Sequence, residues 1–325
     1  MRAVVIEGSG GPEVLVTRDV PDPRPQDGEV LIEVVAAGLN RADVQQRKGL
    51  YPPPEGASPL PGLEVSGRVL DAGGSAFAPG DAVVALLAGG GYAEQVTVPA
   101  GQVLAAPDGV SLVEAAALPE TAATVWSNLV LQAGVTRGDD VLIHGASGGI
   151  GVMAVQIALA LGAVPHVTAG SAEKLGIARS LGVKTLIDYR QQDFVEEIHR
   201  ATDGRGVDVI LDVVGAAYLA RNVEALATGG RLVVIGLQGG ARAELDLGAL
   251  MTKRASVAGT TLRSRPAAEK ERIMRAVGDH VWPLVATGAV EPYVDRTFPL
   301  DAAADAHSYF DSGSHSGKVL LITGR

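Results

Sequence analysis

Short apolar runs, separated by clusters of glycine and proline, fill the first third of the chain. Such spacing predicts a barrel or sandwich of short strands. A helix is expected over residues 40–48, with Asn40 as its N-cap and Asp43 near the positive end of the helix dipole. The predicted strands cover residues 3–6, 29–37, 64–70, 82–87 and 94–98.

The pattern changes after residue 111, where two stretches of helical composition cover residues 111–117 and 120–132. From residue 140 onward, strand-like apolar runs alternate with helical stretches, which indicates a parallel sheet covered by helices on both faces. Six such runs match the strand count of a doubly wound, Rossmann dinucleotide-binding fold. They cover residues 141–144, 164–169, 185–188, 207–213, 231–235 and 256–260.

The last part of the chain has a helical stretch at 267–286 and a β-like tail at 318–323. If the tail rejoins the first strands, the first domain is discontinuous. The sequence therefore predicts a Rossmann domain over residues 123–262 and a β-rich catalytic domain built from residues 1–122 and 263–325.

The composition is that of a globular protein, with 325 residues, 47% hydrophobic and 20% charged, which is long enough for two domains. A net charge of -10 disfavours nucleic acid as a partner, because an acidic chain repels a phosphate backbone. With no cysteine, disulfides and thiolate nucleophiles or metal ligands are excluded. The first residues read as a strand and the longest apolar stretch, 149–163, is too short to span a bilayer, so we expect a cytoplasmic protein with no membrane partner.

A glycine-rich motif, His144-Gly-Ala-Ser-Gly-Gly-Ile-Gly151, stands between the strand at 141–144 and an apolar helix at 152–161. This strand–turn–helix context indicates dinucleotide binding, because glycines let the backbone approach a pyrophosphate and the helix start favours an anion. Ala146 departs from the usual G-x-G-x-x-G pattern, and a plain turn is the alternative. The expected cofactor contacts here are Ala146, Ser147, Gly148, Gly149, Ile150 and Gly151.

The choice of cofactor depends on the end of the second Rossmann strand, where NAD-binding folds usually carry an acid. Gly170 stands there instead, followed by Ser171 and then Lys174 in the first turn of the next helix. A cation at a helix start is mildly unfavourable unless an anion joins it, so we expect the 2′-phosphate of NADPH to bind here, with Tyr189 and Arg190 closing the pocket. The alternative is that Ser171 only caps the helix and Lys174 is solvated.

Further motifs are spread over nearly the whole chain. They are Gly10-Gly-Pro-Glu13, Gly38-Leu-Asn-Arg-Ala-Asp43, Tyr51-Pro-Pro-Pro54, Gly62-Leu-Glu-Val-Ser-Gly67, Pro79-Gly-Asp81, Thr168-Ala-Gly-Ser171 and Ser316-Gly-Lys318. Together with the turn at 144–151, they resemble the zinc-free quinone oxidoreductases of the medium-chain dehydrogenase/reductase superfamily, most of all the p53-inducible quinone oxidoreductase branch. The resemblance implies an α/β fold in which a Rossmann doubly wound parallel sheet accompanies a β-rich GroES-like catalytic domain, a partly open barrel.

The resemblance also bears on metal binding. Zinc-dependent relatives hold a catalytic zinc through a Cys at the position of Asn40 and a His at the position of Leu63. Catalytic zinc needs three protein ligands around an open site. Because neither position carries its ligand, we expect no metal.

The same resemblance implies the roles of individual residues. Asn40 would contact the nicotinamide ribose or the substrate oxygen, and Tyr51 would donate a hydrogen bond to a quinone oxygen. The alternatives are a helix cap for Asn40 and loop packing for Tyr51. The substrate slot would be lined by Leu63, Leu262 and Arg263. Further cofactor contacts are implied for Thr124, Val214, Gly215, Gly236, Leu237 and Lys318.

The predicted function is reduction of small quinones by NADPH without a metal. A quinone is already electron-poor, so positioning it over the nicotinamide lowers the barrier without a Lewis acid. The alternatives are an NADPH-dependent reductase of α,β-unsaturated carbonyls and a cofactor-binding relative that is not an enzyme. The strand at 256–260 would be an exposed edge, and the family resemblance implies a homodimer through it.

Overall fold

The computed structural model describes residues 1–324, which divide into two compact units. The first unit contains Met1–Ala123 and Leu262–Arg325, and the second contains Thr124–Thr261. The polypeptide therefore leaves the first unit once and returns to it.

Fifteen strands are formed within residues 1–324. In chain order they are β1 (Arg2–Ile6), β2 (Leu15–Asp19), β3 (Glu29–Gly38), β4 (Glu64–Asp71), β5 (Ala82–Leu86), β6 (Gln95–Pro99), β7 (Val103–Ala105), β8 (Asp140–His144), β9 (Val164–Ala169), β10 (Thr185–Asp188), β11 (Val207–Asp212), β12 (Leu226–Val234), β13 (Ser256–Gly259), β14 (Val294–Pro299) and β15 (Lys318–Ile322).

The same part of the chain forms eleven α-helices. They are α1 (Arg41–Arg47), α2 (Leu112–Ala115), α3 (Pro119–Val125), α4 (Gly149–Ala160), α5 (Ala172–Ser180), α6 (Phe194–Ala201), α7 (Leu219–Ala225), α8 (Leu247–Lys253), α9 (Ala267–His280), α10 (Trp282–Ala286) and α11 (Ala303–Asp311). Short 3-10 turns occur at Pro12–Val14, Ala100–Gln102, Ala216–Tyr218 and Leu300–Ala302, and a π-helix covers Trp126–Gln132.

The first unit is built on a seven-stranded sheet in the order β14-β15-β3-β4-β5-β7, with β6 also paired to β3. Most pairs in this sheet are antiparallel, and only β14 and β15 pair parallel within its described residues. In β3, buried and half-buried residues alternate along most of the strand, which gives the sheet one face toward the core. The tail strand β15 pairs antiparallel with β3, with Leu320 opposite Gly38.

The second unit is a six-stranded parallel sheet in the order β10-β9-β8-β11-β12-β13. This is the Rossmann order, so the predicted α/β fold with a GroES-like and a Rossmann unit is confirmed. The central strands β8 and β11 have apolar, buried middles, Val141–Ile143 and Val209–Leu211, as expected where helices cover both faces of a parallel sheet. Helix α4 is apolar around most of its circumference and buries eight residues, Gly151 to Ala158. Strand β13 lies at the edge of the sheet, as predicted.

Several elements differ from the sequence-based prediction. The β2, β7 and β14 strands and the α8 and α11 helices were not predicted, because short or half-exposed segments carry weak periodicity. The helical stretch at 267–286 is two helices, and the stretch at 120–132 becomes a π-helix after residue 125. Within residues 1–324, no helix combines the length and apolar character needed to cross a membrane.

Candidate active site

The turn between β8 and α4 is folded around backbone hydrogen bonds to strand β9. The N–H groups of Gly145 and Ala146 donate to the Thr168 carbonyl at 3.1 and 3.0 Å, and Gly148 N–H donates to the Gly145 carbonyl at 3.2 Å. Gly145 has φ +77°, which favours glycine at this position. The turn is therefore fixed to the neighbouring strand, and Ala146 and Ser147 are buried within it.

The glycines of the turn differ in what surrounds them. A Cβ on Gly151 would lie 2.2 Å from the Gly145 carbonyl oxygen, so packing of helix on turn requires glycine there. A Cβ on Gly148 would meet nothing closer than that same oxygen at 3.7 Å, and φ is -77°. The protein itself gives no reason for glycine at position 148. This open surface fits the close approach of a ligand to the backbone.

Helix α4 begins at this turn with Gly148 as its N-cap. No acidic side chain stands in its first turn, and its first N–H groups lack intrahelical partners, as at every helix start. The helix dipole adds partial positive charge at the same end. The turn therefore has the donor set that binds a pyrophosphate, and the residues present fit a dinucleotide.

The segment after β9 brings together the residues predicted to select the cofactor. A Cβ on Gly170 would lie 2.6 Å from Tyr189 Oη and 3.3 Å from Arg190 Nε, so both side chains pack against this glycine. Ser171 Oγ accepts from Lys174 N–H at 3.3 Å, so the helix-cap role of Ser171 is confirmed. Its hydroxyl hydrogen remains a donor that can serve a ligand as well.

Two carboxylates belong to this region, that of Glu173 in the first turn of α5 and that of Asp188 at the end of β10. Asp188 Oδ1 accepts from Arg190 N–H at 3.0 Å, and Oδ2 accepts from Gln191 Nε2 at 2.9 Å. These bonds tie the Asp188 carboxylate into its own turn. The side chains that pack on Gly170 are those of Tyr189 and Arg190, and both can donate hydrogen bonds to a ligand.

The segments after β11 and β12 interlock through their glycines. A Cβ on Gly215 would lie 2.8 Å from the Gly240 carbonyl oxygen, and one on Gly236 would lie 2.7 Å from the Val213 carbonyl oxygen. Packing alone therefore explains both glycines. Asp212, fully buried, accepts from the N–H groups of Val214 and Gly215 at 2.6 and 3.0 Å, which fixes the shape of this segment.

Two other predicted cofactor residues differ in exposure. Leu237 is 59% exposed, beyond the end of β12. Thr124 is buried, and its carbonyl accepts from Asn128 Nδ2 at 2.7 Å at the start of the π-helix. Single π-turns within helices often mark functional positions.

In the first unit, Asn40 lies in a buried cluster with a charged pair. Lys318 Nζ is 2.8 Å from Asn40 Oδ1, 2.5 Å from Glu64 Oε1 and 2.7 Å from the Leu39 carbonyl oxygen. Asn40 Nδ2 donates to Glu64 Oε1 at 3.0 Å and to the Gly38 carbonyl at 3.3 Å. Glu64 Oε2 accepts from Glu120 N–H at 2.9 Å. The ammonium and the carboxylate thus neutralise one another around the Asn40 amide.

This cluster fixes the orientation of the Asn40 amide. An ammonium only donates and a carboxylate only accepts, so Oδ1 must face Lys318 and Nδ2 must face Glu64. Both Nδ2 hydrogens are used, so any further hydrogen bond of this side chain must be accepted by Oδ1. Asn40 is the N-cap residue of α1, as predicted, and it forms a capping box with Asp43, whose Oδ2 accepts from the Asn40 backbone N–H at 2.8 Å.

Lys318 was expected to contact the cofactor. Its side chain is buried, with 4% of the residue exposed, and its ammonium has three protein oxygens as partners. In this structure the lysine therefore contacts Asn40 and Glu64, and any effect on a ligand passes through them.

A second buried network lies on the other side of the α1 start. Asp43 accepts from the N–H groups of Asn40 at 2.8 Å and Gly62 at 3.0 Å, and from Tyr92 Oη at 3.2 Å. Tyr92 Oη is also 3.2 Å from His307 Nε2. Burial raises the pKa of Asp43 to about 6, against the opposing effect of its backbone donors. Burial, together with the nearby Arg47, lowers the pKa of His307 to about 3, so the imidazole is neutral.

Two of the predicted substrate-site residues, Arg263 and Tyr51, are in contact. The Arg263 guanidinium donates to the Ala88 carbonyl at 2.8 Å, to Gln46 Oε1 at 2.7 Å and to the Tyr51 carbonyl at 3.4 Å. It also lies 5.5 Å from the centre of the Tyr51 ring. Tyr51 is half-buried, and burial raises the pKa of its phenol, which keeps it a neutral donor. Arg263 is thus a support for the Tyr51 loop. Leu63, which directly precedes Glu64 in the sequence, is buried, and Leu262 is half-buried.

Comparison with known proteins identifies the family. A zinc-binding dehydrogenase family model matches residues 149–277, and an alcohol dehydrogenase GroES-like domain model matches residues 26–108. Human quinone oxidoreductase is 33% identical over 328 residues, which cover 99% of this chain and 98% of the human protein. The chain belongs to the medium-chain dehydrogenase/reductase superfamily. It is a homologue of the quinone oxidoreductases within it.

Solved structures of other superfamily members have the same fold. Quinone oxidoreductase of Escherichia coli, complexed with NADPH, superimposes with a TM-score of 0.89 at 31% identity and covers 99% of this chain and all of that one. CurK enoyl reductase superimposes with a TM-score of 0.87 at 29% identity, over 99% of this chain and 98% of that one. The chain is therefore an oxidoreductase of this superfamily with a nicotinamide-dependent chemistry.

One of the two matching family models is that of the zinc-binding dehydrogenases. In this chain, Asn40 and Leu63 stand where zinc-dependent relatives carry their zinc ligands. Asn40 is bonded to Lys318 and Glu64, and Leu63 has no donor atom. Within residues 1–324, no three His, Asp or Glu side chains form a group that could hold a metal ion. The histidines that are buried here have protein partners of their own.

Sequence reasoning missed Glu64, Tyr92 and His307. Glu64 is part of the motif Gly62-Leu-Glu64, but only Leu63, at the position of a zinc ligand in relatives, was assigned a meaning there. Tyr92 and His307 are isolated in sequence from Asp43 and from each other, so no local pattern could have joined them.

Proposed function

We propose that this protein uses NADPH to reduce small quinones and that it does so without a metal ion. The observation that carries the cofactor assignment is the end of β9, where Tyr189 and Arg190 pack on Gly170 and Lys174 stands in the first turn of α5. These side chains offer hydrogen-bond donors and positive charge at the place where NAD-binding folds present an acid. The Escherichia coli relative with NADPH supports the assignment.

The bound dinucleotide supplies the hydride, and the protein supplies binding and orientation. The turn 145–151 would hold the pyrophosphate through backbone N–H groups. Asn40, with only an Oδ1 lone pair to offer, would accept a hydrogen bond from a nicotinamide-ribose hydroxyl. This choice between the two roles considered for Asn40 follows from its amide orientation, because a contact to a substrate oxygen needs a donor.

The choice of a quinone follows from the residues at hand. Reduction of a simple ketone needs an electrophile that polarises the carbonyl, and zinc supplies it in other members of the superfamily. Asn40 and Leu63 do not form such a ligand set. A quinone needs less assistance, because its reduction gives a stabilised aromatic anion. The phenol of Tyr51, kept neutral by burial, would donate a hydrogen bond to the developing oxyanion.

Reduction of an α,β-unsaturated carbonyl is the second candidate, favoured by the similarity to CurK enoyl reductase. This reaction needs a proton delivered to carbon. The Tyr51 phenol is a candidate donor in this case too, so Tyr51→Phe distinguishes a role in chemistry from loop packing. Loss of turnover with unchanged NADPH affinity is expected for the chemical role. Wild-type turnover and affinity would assign Tyr51 to packing.

We also propose a homodimer through β13. The strand is an edge of the parallel sheet, and Leu247 and Met251 of the preceding helix α8 are 63% and 76% exposed. An uncovered strand edge beside exposed apolar side chains favours pairing with another copy. Light scattering at micromolar concentration tests this proposal, and a monomer would refute it.

The proposed activity is tested by following NADPH oxidation with 9,10-phenanthrenequinone, 1,4-benzoquinone and a simple enone in parallel. NADH serves as the cofactor control, and a chelator is present throughout. Fast quinone turnover that prefers NADPH and withstands the chelator is expected. Turnover with the enone alone would reassign the protein to the double-bond reductases. NADPH binding without any turnover would favour a non-enzymatic relative.

A further inference from the structure

A chain of buried side-chain hydrogen bonds crosses three adjacent strands of the second unit. Thr168, near the end of β9, has its Oγ1 3.0 Å from His144 Nδ1, at the end of β8. His144 Nε2 is 2.9 Å from Asn222 Oδ1 on helix α7. Asn222 Nδ2 is 3.2 Å from Asp212 Oδ2, at the end of β11. All four residues are at most 1% exposed.

The direction of each hydrogen bond in this series follows from the Asp212 carboxylate, which can only accept. The Asp212 carboxylate accepts from Asn222, so the Asn222 amide must present Nδ2 to it and Oδ1 to His144. His144 Nε2 therefore carries the ring hydrogen, and Nδ1 accepts from the Thr168 hydroxyl. Burial raises the pKa of Asp212 to about 6, which leaves the carboxylate ionised at pH 7.5. Every donor in the chain points toward this charge.

The imidazole in the middle is held in one state. The rings of Phe194 and Tyr218 each contact His144 edge-on, with centroids 5.0 Å away. Burial lowers the pKa of His144 to about 4, so the ring is neutral at physiological pH. A buried polar chain of this kind is costly unless every member is satisfied, and here each ring nitrogen has a partner.

The two ends of the chain join the segments assigned above to the dinucleotide. Thr168 accepts through its carbonyl from Gly145 and Ala146 of the phosphate-binding turn, and its side chain contacts His144, the residue before that turn. At the other end, Asp212 accepts from the N–H groups of Val214 and Gly215. The chain therefore links the pyrophosphate side of the proposed site to the segment after β11.

We propose that His144 and Asn222 are positioning residues that hold these two segments in the fixed spacing that a complete dinucleotide requires. This inference rests on the proposed function, because it takes NADPH as the ligand. It assigns neither residue a contact with the ligand. The effect of breaking the chain should therefore be larger for a ligand that spans both segments than for one that contacts a single segment.

Asn222→Leu tests the proposal, because it removes both bonds at similar side-chain volume. Affinity is measured by calorimetry for NADPH and for 2′-phospho-AMP, which carries the adenosine half alone. We expect the dissociation constant of NADPH to rise about tenfold, because the two segments lose their fixed spacing, and that of 2′-phospho-AMP to rise less than about threefold. The KM for NADPH should rise with it, while kcat at saturation stays within about twofold.

Val223→Ala is the matched control, since Val223 is the buried neighbour of Asn222 on α7 and its side chain makes no hydrogen bonds. It should lower the melting temperature without changing either dissociation constant. An Asn222→Leu protein that behaves like this control, or that loses both ligands equally, would overturn the proposal. Failure of the wild-type protein to bind NADPH would instead refute the proposed function.

A second pair of variants applies if Asn222→Leu does not fold. His144→Phe keeps the ring against Phe194 and Tyr218 but loses both bonds, whereas His144→Gln keeps an N–H donor toward Asn222. We expect about tenfold weaker NADPH binding for His144→Phe and recovery to within about threefold for His144→Gln. Equal affinities for the two variants would contradict the positioning role.

Discussion

Lys318 Nζ lies 2.8 Å from Asn40 Oδ1, although 278 residues separate the two in the chain. The contact exists because the tail strand β15 pairs with β3, whose last residue precedes the Asn40 segment. Glu64, at the start of β4, completes the cluster and balances the lysine charge. A side chain expected at the cofactor thus orients the asparagine that we propose contacts it.

Replacement of Lys318 tests separately its contribution to the free energy of unfolding and its role in orienting the Asn40 amide. Lys318→Met leaves the Glu64 carboxylate buried and unpaired, which should cost about 3–5 kcal/mol in the free energy of unfolding. Lys318→Met combined with Glu64→Gln removes both charges and should recover most of that loss. Because the Asn40 amide lacks its Lys318 partner in both variants, the KM for NADPH should be higher than that of the wild type in both. Urea unfolding and steady-state kinetics measure the two effects, and equal destabilisation of single and double variants would contradict the charge pairing.

Two glycines of the phosphate-binding turn should respond differently to alanine. Gly151→Ala places a Cβ against the Gly145 carbonyl and should destabilise the protein by about 1–3 kcal/mol. Gly148→Ala meets no protein atom closer than 3.7 Å and should cost about 1 kcal/mol or less as a changed N-cap. It should nevertheless weaken NADPH binding at least about tenfold, because the methyl group occupies the ligand's approach. Unchanged NADPH binding by the Gly148→Ala protein would show that the pyrophosphate does not bind at this turn.

Lys174 should set the preference between the two nicotinamide dinucleotides. Lys174→Ala removes a charge-assisted contact to the 2′-phosphate and should weaken NADPH binding about 10- to 100-fold, with NADH binding changed less than about threefold. Lys184→Ala is the control, since Lys184 is an exposed lysine directly before β10. Fluorescence titration with both dinucleotides gives the ratio. A parallel loss for NADPH and NADH would show that Lys174 does not contact the phosphate.

His307 should make the protein less stable in acid. Its pKa is about 3 when folded and about 6.5 when unfolded, so between these values the unfolded chain binds more protons. Stability from this group is complete above pH 6.5 and falls as the pH drops, by about 2 kcal/mol at pH 5. His307→Gln cannot titrate, so the stability difference between wild type and variant should shrink by that amount between pH 7.5 and 5.

Urea unfolding at both pH values measures this difference. Asp43 and Asp212, with pKa values raised to about 6, act with the opposite sign, since their folded forms hold protons more tightly. Their contributions are common to both proteins and cancel in the comparison. A difference that is constant with pH would mean that folding does not change the pKa of His307.

The sequence by itself determined the six strands and the phosphate-binding turn of the second unit, but not helix α8 or the π-helix. Its six strands contain short apolar runs, and the turn at 144–151 and the glycine at position 170, where NAD-binding folds usually carry an acid, are local patterns of neighbouring residues. The edge position of β13 followed from the strand order of the doubly wound fold. The N-cap position of Asn40 was also predictable, because capping depends on neighbouring residues. Half-exposed β14 and the short β7 were not, since their periodicity is too weak.

Only the tertiary structure decided what the polar side chains do. The orientation of the Asn40 amide depends on Lys318 and Glu64, and the state of His144 depends on Thr168 and Asn222. These partners come from separate strands and helices, so no spacing along the chain reveals them. A buried polar group must find its hydrogen-bond partner wherever the fold brings one, and that choice is made by packing and not by local sequence.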